Sequence, residues 1–330
     1  MDEDDSPSIF GFAIRTSKCK AEQTIEQLKK QGLYDNTRLL LSEGDSLWIP
    51  IKKKIKNVQR KKLPVNPSSP SLREKFGIRA FDIIGDIIVI FIPDELEGQK
   101  FEIGSHLLNL YPHITAVYKE TSHAKGKFRV QSKELIAGQG SETIHREHGL
   151  KFKLDVNQVF FSPRQVTERM KLTKQVKKGD HICVFFSGIA AIPIYLSKFT
   201  QADTIIGIEL NSLAHHYAVE NLRLNDVKNV QLINGDVSKV VPDLIHDKKF
   251  DLVIMPLPKN APNFLSLAKE ALVANGHLII LIVGSQSKID NKLAQLKTAG
   301  FSIQKVEKER PIAPKEWRYT IYAKRNSSQF

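Results

Sequence analysis

The sequence predicts an α/β protein. Its C-terminal half reads as a doubly wound, mostly parallel, Rossmann-like sheet, preceded by two small α+β units. Three observations predict this. From Lys178 onward, short apolar runs alternate with helical stretches. Those runs are continuously apolar rather than alternating, as strands buried on both faces are. Before Lys178 the pattern breaks into short paired segments on either side of a basic stretch that ends in Pro and Ser.

The elements follow in order. Within residues 8–62, IFGFAI reads as a strand and AEQTIEQLKKQGL as an amphipathic helix. TRLLLSEGDSLWIPI reads as two short strands around the SEGDS turn. KKKIKNVQRKKLPVNPSSPS holds Lys52, Lys53, Lys54, Lys56, Arg60, Lys61 and Lys62 with no acid among them. Its composition predicts a linker, and its charge suits contact with phosphates.

The second unit, 70–150, opens with FDIIGDIIVIFIP, two β-rich runs broken at Gly85-Asp86. DELEGQKFEIGSHLLNLYP reads as a helix. ITAVYKE, KGKFRVQSKELIAG and ETIHREHGLKFKLDV read as strands and turns.

In the third unit, 151–330, SPRQVTERMKLTKQV is a helix with Pro163 near its first turn. HICVFF, TIIGIE, VQLING, FDLVIMPLP and HLIILIV are strands. AIPIYLSKF, SLAHHYAVENLRLN, NFLSLAKEALVANG (ended by Gly276) and SKIDNKLAQLKTAG (ended by Gly300) are helices. FSIQKVEKERPIAPKEWRYTIYAK gives two further strands with no helix between them, an antiparallel hairpin at the sheet edge.

Composition narrows the function. Lys and Arg number 49 against 36 Asp and Glu, a net charge of +13, which points to a polyanionic partner. No apolar run reaches the ~18 residues of a membrane span, and the acidic start MDEDDSPS is unlike a secretory signal. Cys19 and Cys183 stand far apart, as thiols of a reducing cytoplasm do. No histidine lies at zinc-site spacing from Cys or Glu, so no metal is expected.

In a doubly wound sheet, ligands bind at the carboxyl ends of the strands. The first strand ends in Phe186-Ser187-Gly188, the second in Glu209, the third in Asn234-Gly235-Asp236, and the fourth in Met255-Pro256-Leu257-Pro258. An acid at the second end suits ribose hydroxyls, and one at the third suits an adenine amino group. Together they predict an adenosine ligand. FSGIAAIP has one glycine, too few for a pyrophosphate loop. A sheet that has lost its ligand stays open as an alternative. Pro256 carries neither an N–H nor a side-chain acceptor, so a ring nitrogen suits the reaction better than an exocyclic amine.

These residues resemble a family. From about residue 10 to the end, the chain is similar to the archaeal and eukaryotic tRNA (guanine(37)-N1)-methyltransferases, and within them to a divergent archaeal subgroup. The carrying segments are FDIIGDIIVIFIPDEL, KGKFRV, TIHREHG, VFFSPRQVTER, GIELN, NGDV and MPLPKNAPNF.

The resemblance implies a class I methyltransferase fold, S-adenosylmethionine as cofactor, and tRNA as partner. It also implies an N-terminal unit and a middle domain that help hold the tRNA. Glu168 matches the family's general base, and Arg129 its partner at the guanine carbonyl. Arg164, Phe186, Glu209, Asp236 and Pro258 match donor-pocket residues. Cytoplasmic localisation and a monomer are expected.

Two departures stand out. Pro256 replaces the family's Asn before Leu-Pro. The family loop acid-x-Phe-Ala-Gly-x-Gly-Pro reads Val184-Phe185-Phe186-Ser187-Gly188-Ile189-Ala190-Ala191. Some members of the subgroup also methylate a wyosine intermediate. A tRNA-binding protein with a decayed donor site and an aminocarboxypropyl transferase of wyosine synthesis are the alternatives.

Overall fold

The computed structural model describes residues 8–36, 38–55, 58–64, 70–121, 132–246, 249–256, 264–313 and 315–327. Residues 1–79 and 80–330 form two compact units.

The first unit holds β1 (Ser8–Ser17), α1 (Ala21–Lys30), β2 (Leu41–Glu43), β3 (Ser46–Ile51) and β4 (Gln59–Pro64). They form one antiparallel sheet in the order β2-β3-β1-β4. Leu28 of α1 packs on Ile49 and Ile51 of β3. The basic stretch expected to be a linker is therefore partly a strand. β1 would otherwise present an unpaired edge, and Gln59–Pro64 closes it. Leu63 turns inward, and Arg60 and Lys62 are exposed. Lys61 lies 4.8 Å over the Trp48 ring and 2.5 Å from Glu43. A charged outer strand also discourages pairing with other chains.

The second unit begins with β5 (Asp82–Ile84), β6 (Ile87–Ile90), α3 (Lys100–Leu110), β7 (Ala116–Glu120) and β8 (Lys133–Gly138), after α2 (Leu72–Phe76) of the first. The four strands form a sheet in the order β5-β6-β7-β8. β9 (Glu142–Glu147) and β10 (Leu150–Asp155) make an antiparallel hairpin across residue 150, and α4 (Val166–Thr173) follows. Gly85, in the β5–β6 turn, has φ +60°, and a Cβ there would strike Thr143 Oγ1 at 2.0 Å. Only glycine fits this junction of turn and hairpin.

The large sheet is built from β11 (His181–Phe185), α5 (Ala191–Phe199), β12 (Thr204–Glu209), α6 (Ser212–Leu224), β13 (Val230–Asn234), α7 (Val237–Leu244), β14 (Phe250–Pro256), α8 (Leu265–Ala271), β15 (Leu272–Gly284), α9 (Gln286–Thr298), β16 (Phe301–Ala313) and β17 (Glu316–Arg325). Its order is β13-β12-β11-β14-β15-β17-β16. The first five strands are parallel, and β17 lies antiparallel between β15 and β16. The expected edge hairpin is present. Strand order reverses between β11 and β14, which places the ligand crevice at their carboxyl ends. Cys183, Phe185, Val253, Met255 and Ile280 fill one core layer. Burial raises the Cys183 thiol well above its ordinary range, so it is a packing residue.

Two elements differ from the sequence reading. α7 was not among the expected elements; it is an eight-residue helix with Pro242 inside it. Its signals are nonetheless local: Asp236 caps it, and Val237, Val240, Val241 and Leu244 follow a helical period. The expected helix ending at Gly276 stops at Ala271 instead, and Leu272–Gly276 starts β15. Leu272 pairs with Phe250 of β14, so sheet pairing overrides the helical pattern. No helix among the described residues is long and apolar enough to cross a membrane. No group of His, Cys, Asp and Glu among them could hold a metal ion.

Candidate active site

The carboxyl ends of β11, β12 and β13 are knitted together around Glu209. Its Oε2 accepts the Gly188 N–H at 2.8 Å, and its Oε1 accepts the Asn211 N–H at 2.7 Å. Its main-chain oxygen accepts from Gly235 N at 2.9 Å and from Asn234 Nδ2 at 2.8 Å. One residue thus fixes three strand ends. Burial raises the Glu209 carboxyl above its ordinary range, against the backbone N–H groups that lower it. A carboxylate short of water favours further hydroxyl donors, such as those of a ribose.

Asp236 caps α7, its Oδ1 accepting from Ser238 N at 2.9 Å and Ser238 Oγ at 2.7 Å. Phe186 meets Phe264 edge to face at 5.0 Å. Phe186, Gly188 and Ala190 all have positive φ, at 57°, 57° and 64°. Ala190 stands where the resembled loop has its second glycine, and it takes the left-handed conformation with its Cβ in place. The loop therefore keeps a glycine-type path without the glycine, at about 1 kcal/mol of backbone strain. The donor set here, a half-buried acid at the end of β12, a helix-capping acid after β13 and an aromatic face after β11, fits an adenosyl group.

A second group lies along the same edge of the sheet. Arg318, on β17, is in register with Val283, one residue before the carboxyl end of β15. Arg310, on β16, falls in the irregular stretch between the pairs Lys308–Tyr319 and Pro311–Trp317, opposite Arg318. Two arginines facing each other across a hairpin repel, and an anion answers them. It is Glu168 of α4, 6% exposed. Glu168 Oε2 accepts from Arg318 Nη1 at 2.8 Å, and its Oε1 is 3.7 Å from Arg310 Nε. With the Gln165 amide turned so that its oxygen faces Arg318, that oxygen accepts from Nη1 and Nη2 at 2.8 and 3.0 Å. Burial, and then the like charge of Arg318, push the Arg310 guanidinium down from its ordinary value, and Glu168 acts against this. Arg164, in the turn before α4, pairs with Asp82 of β5.

Behind Glu168 a buried network ties distant segments together. Arg169 grips Glu147 of β9 through Nε at 2.8 Å and Nη2 at 2.6 Å, and lies 5.1 Å over the Phe161 ring. Burial alone would raise the Glu147 carboxyl. Hydrogen bonds from His145 and Arg169, and their charges, outweigh burial and hold it below the usual range. His145 Nδ1 accepts from Gly85 N at 3.2 Å, and Thr143 Oγ1 accepts from Asp86 N at 3.1 Å. FDIIGD, TIHRE and SPRQVTER, far apart in sequence, thus form one continuous support for α4.

Of the expected site residues, Phe186, Glu209 and Asp236 come together at adjacent strand ends. Glu168 and Arg164 sit on and before α4. Arg129 and Pro258 lie outside the described residues. Sequence reasoning missed Arg310, Arg318, Asp82 and Glu147. The one available signal was the like-charged pair flanking the hairpin turn, which is read only once the register is known.

Comparisons with known proteins agree with this fold. Residues 143–300 match the TRM5/TYW2 methyltransferase domain, 70–141 the TYW2 N-terminal domain, and 13–59 the tRNA methyltransferase 5 N-terminal domain. The chain is 35% identical over 270 residues to the tRNA (guanine(37)-N(1))-methyltransferase Trm5b of Pyrococcus abyssi, covering 78% of this chain and 79% of that one. It is 28% identical to Trm5b of Methanocaldococcus jannaschii, covering 87% and 90%. A solved complex of aTrm5 with tRNALeu superposes with TM-score 0.72 at 27% identity, covering 96% of this chain and 100% of that one. With its Rossmann-like class I methyltransferase sheet, the chain belongs to the TRM5/TYW2 methyltransferase family.

Proposed function

We propose that the protein transfers a methyl group from S-adenosylmethionine to N1 of guanosine 37 of tRNA, the reaction named for its Trm5b relatives. The observation that carries the acceptor side is Glu168. It is a nearly buried carboxylate on the carboxyl edge of the sheet, with Oε1 lacking a hydrogen-bond partner among the described residues. Guanine N1 bears a proton and is a poor nucleophile until it is lost. Glu168 Oε1 takes that proton. Arg129 is assigned to the guanine O6, where negative charge grows as the proton leaves and a guanidinium stabilises it. S-adenosylmethionine, when bound, supplies a methyl group already electrophilic on its sulfonium. Glu209 would hold its ribose and Asp236 its adenine, with Phe186 beside the ring; Arg164 and Pro258 are assigned to the same pocket on the family resemblance alone.

The remaining assignments follow the same reading. Residues 8–62 and 70–150 hold the tRNA, and 151–330 perform the transfer; the matched ranges 13–59, 70–141 and 143–300 support this division. The protein works as a cytoplasmic monomer. The target base must leave the anticodon loop to enter the site, which single-stranded loops allow at low cost.

The test incubates the full chain with labelled donor and unmodified tRNA transcripts carrying G or A at position 37. Label on the G transcript alone, recovered as 1-methylguanosine, is expected. A mass increment larger than methyl would identify aminocarboxypropyl transfer, the activity of other relatives at 28% identity. Donor binding without transfer to any transcript would leave a tRNA-binding protein.

A further inference from the structure

Three buried polar atoms lie together without partners among the described residues: Glu168 Oε1, Arg310 Nε and Arg318 Nε. Glu168 Oε1 lies 3.7 Å from Arg310 Nε, too long for a hydrogen bond. Buried donors and acceptors are rarely left unmet in a folded protein. Two unmet donors of one kind and one unmet acceptor describe a ligand in negative image. It must offer anionic oxygens to the two Nε–H groups and an N–H to the carboxylate.

Charge points the same way. Two guanidiniums face one carboxylate, and the adjoining Arg164 and Asp82 cancel each other. If Glu168 accepts a proton, Arg310 and Arg318 lose the counter-charge they share while still largely buried, with side-chain exposures of 27% and 15%. Stranded buried charges are strongly unfavourable. A second anion arriving with the substrate removes the difficulty.

We infer that Arg310 and Arg318 seat a phosphodiester flanking the target guanosine, and that this phosphate takes over as their counter-ion when Glu168 is protonated. The inference rests on the proposed N1-guanine methylation. Guanidinium Nε and Nη groups bind phosphate oxygens in a fork that Lys does not reproduce. Arg310 and Arg318 are positioning residues. They place the nucleotide so that its base N–H meets Glu168 Oε1, and they release the carboxylate from its ion pairs as they do so.

The experiment uses the full chain and transcripts in which each phosphate flanking guanosine 37 is replaced, one at a time, by a neutral methylphosphonate. Arg318→Gln and Arg310→Gln are expected to raise KM for normal tRNA by about tenfold or more and to reduce the salt slope of tRNA affinity by about one. Donor affinity by calorimetry stays unchanged. At one phosphate, methylphosphonate weakens the wild-type reaction similarly and adds little in the variants. Arg318→Lys recovers part of the loss. Effects that multiply at both phosphates would overturn the inference. So would a loss confined to donor affinity, which would assign the arginines to the donor's own carboxylate. Should either variant fail to fold, the wild-type comparison of methylphosphonates and its salt slope decide alone; indifference to both replacements overturns the seat. Wild-type protein that methylates no transcript defeats the functional reading itself.

Discussion

The two halves of the candidate site are held by different means. On the donor side, Glu209 gathers the ends of β11, β12 and β13 through backbone N–H groups. On the acceptor side, Glu168 is held by the side chains of Arg310 and Arg318, from a hairpin about 150 residues away in sequence. Backbone partners belong to the fold and tolerate changes of side chain. Side-chain partners exist only while the particular residues do. The donor side should therefore survive substitution with graded losses, and the acceptor side should fail abruptly.

The sharpest break expected is Glu168→Gln, which keeps the shape and removes the proton acceptor. Single-turnover methyl transfer at neutral pH should fall about 10²–10⁴-fold, while tRNA binding persists. An unchanged rate would refute Glu168 as the base.

Next comes the support behind it. Arg169→Ala leaves buried Glu147 with His145 in place of its bidentate guanidinium partner, and should destabilise the fold by up to about 3–5 kcal/mol in denaturant titrations. The pH dependence has a definite sign. Glu147 is held below its ordinary value of 4.5, so its stabilisation is full above that pH. It is lost as pH falls through the lowered folded value. Glu147→Gln should be less stable than wild type at pH 7, and the gap should narrow as pH falls below 4.5. A gap that stays constant into acid would show that the pair's charge is not what stabilises α4.

A smaller effect is expected at Glu209. Glu209→Gln keeps one acceptor oxygen for the backbone, and should weaken donor binding about tenfold with little change in melting temperature. A collapse of the fold would erase the contrast between the two halves. The smallest effect belongs to Ala190→Gly. Relief of left-handed strain is opposed by loss of a fully buried methyl and by a more mobile unfolded chain. The net change in stability should lie within about 1 kcal/mol of zero.

The same contrast explains what could be read from the sequence. Glu209 and Asp236 were legible because strand order alone puts successive strand ends side by side. Glu168 was legible only through its resemblance to a family segment, since a lone carboxylate on a helix is usually a solvated one. Arg310 and Arg318 were not legible. They meet through a hairpin whose register shifts between Lys308 and Pro311, and no local pattern announces a bulge of that kind. α7 went unread although Asp236 and a clear helical period mark it, and the helix tolerates Pro242. Gly276 and the residues before it looked like a helix end until the pairing of Leu272 with β14 fixed them as a strand.

The strand order at the sheet edge has a consequence for how the site comes into being during synthesis. β17 lies between β15 and β16, although it follows both in the chain. A nascent chain that has produced β16 has no place to lay it, because its only sheet neighbour, β17, is still to come. Arg310 waits for the same event as Arg318. The donor crevice can close around Glu209 earlier, once β14 has emerged and paired with β11. Between those two moments the growing polypeptide holds a formed nucleoside pocket and a Glu168 without its guanidinium partners. The capacity to bind donor thus precedes the capacity to use it, and the late insertion of one strand separates them in time.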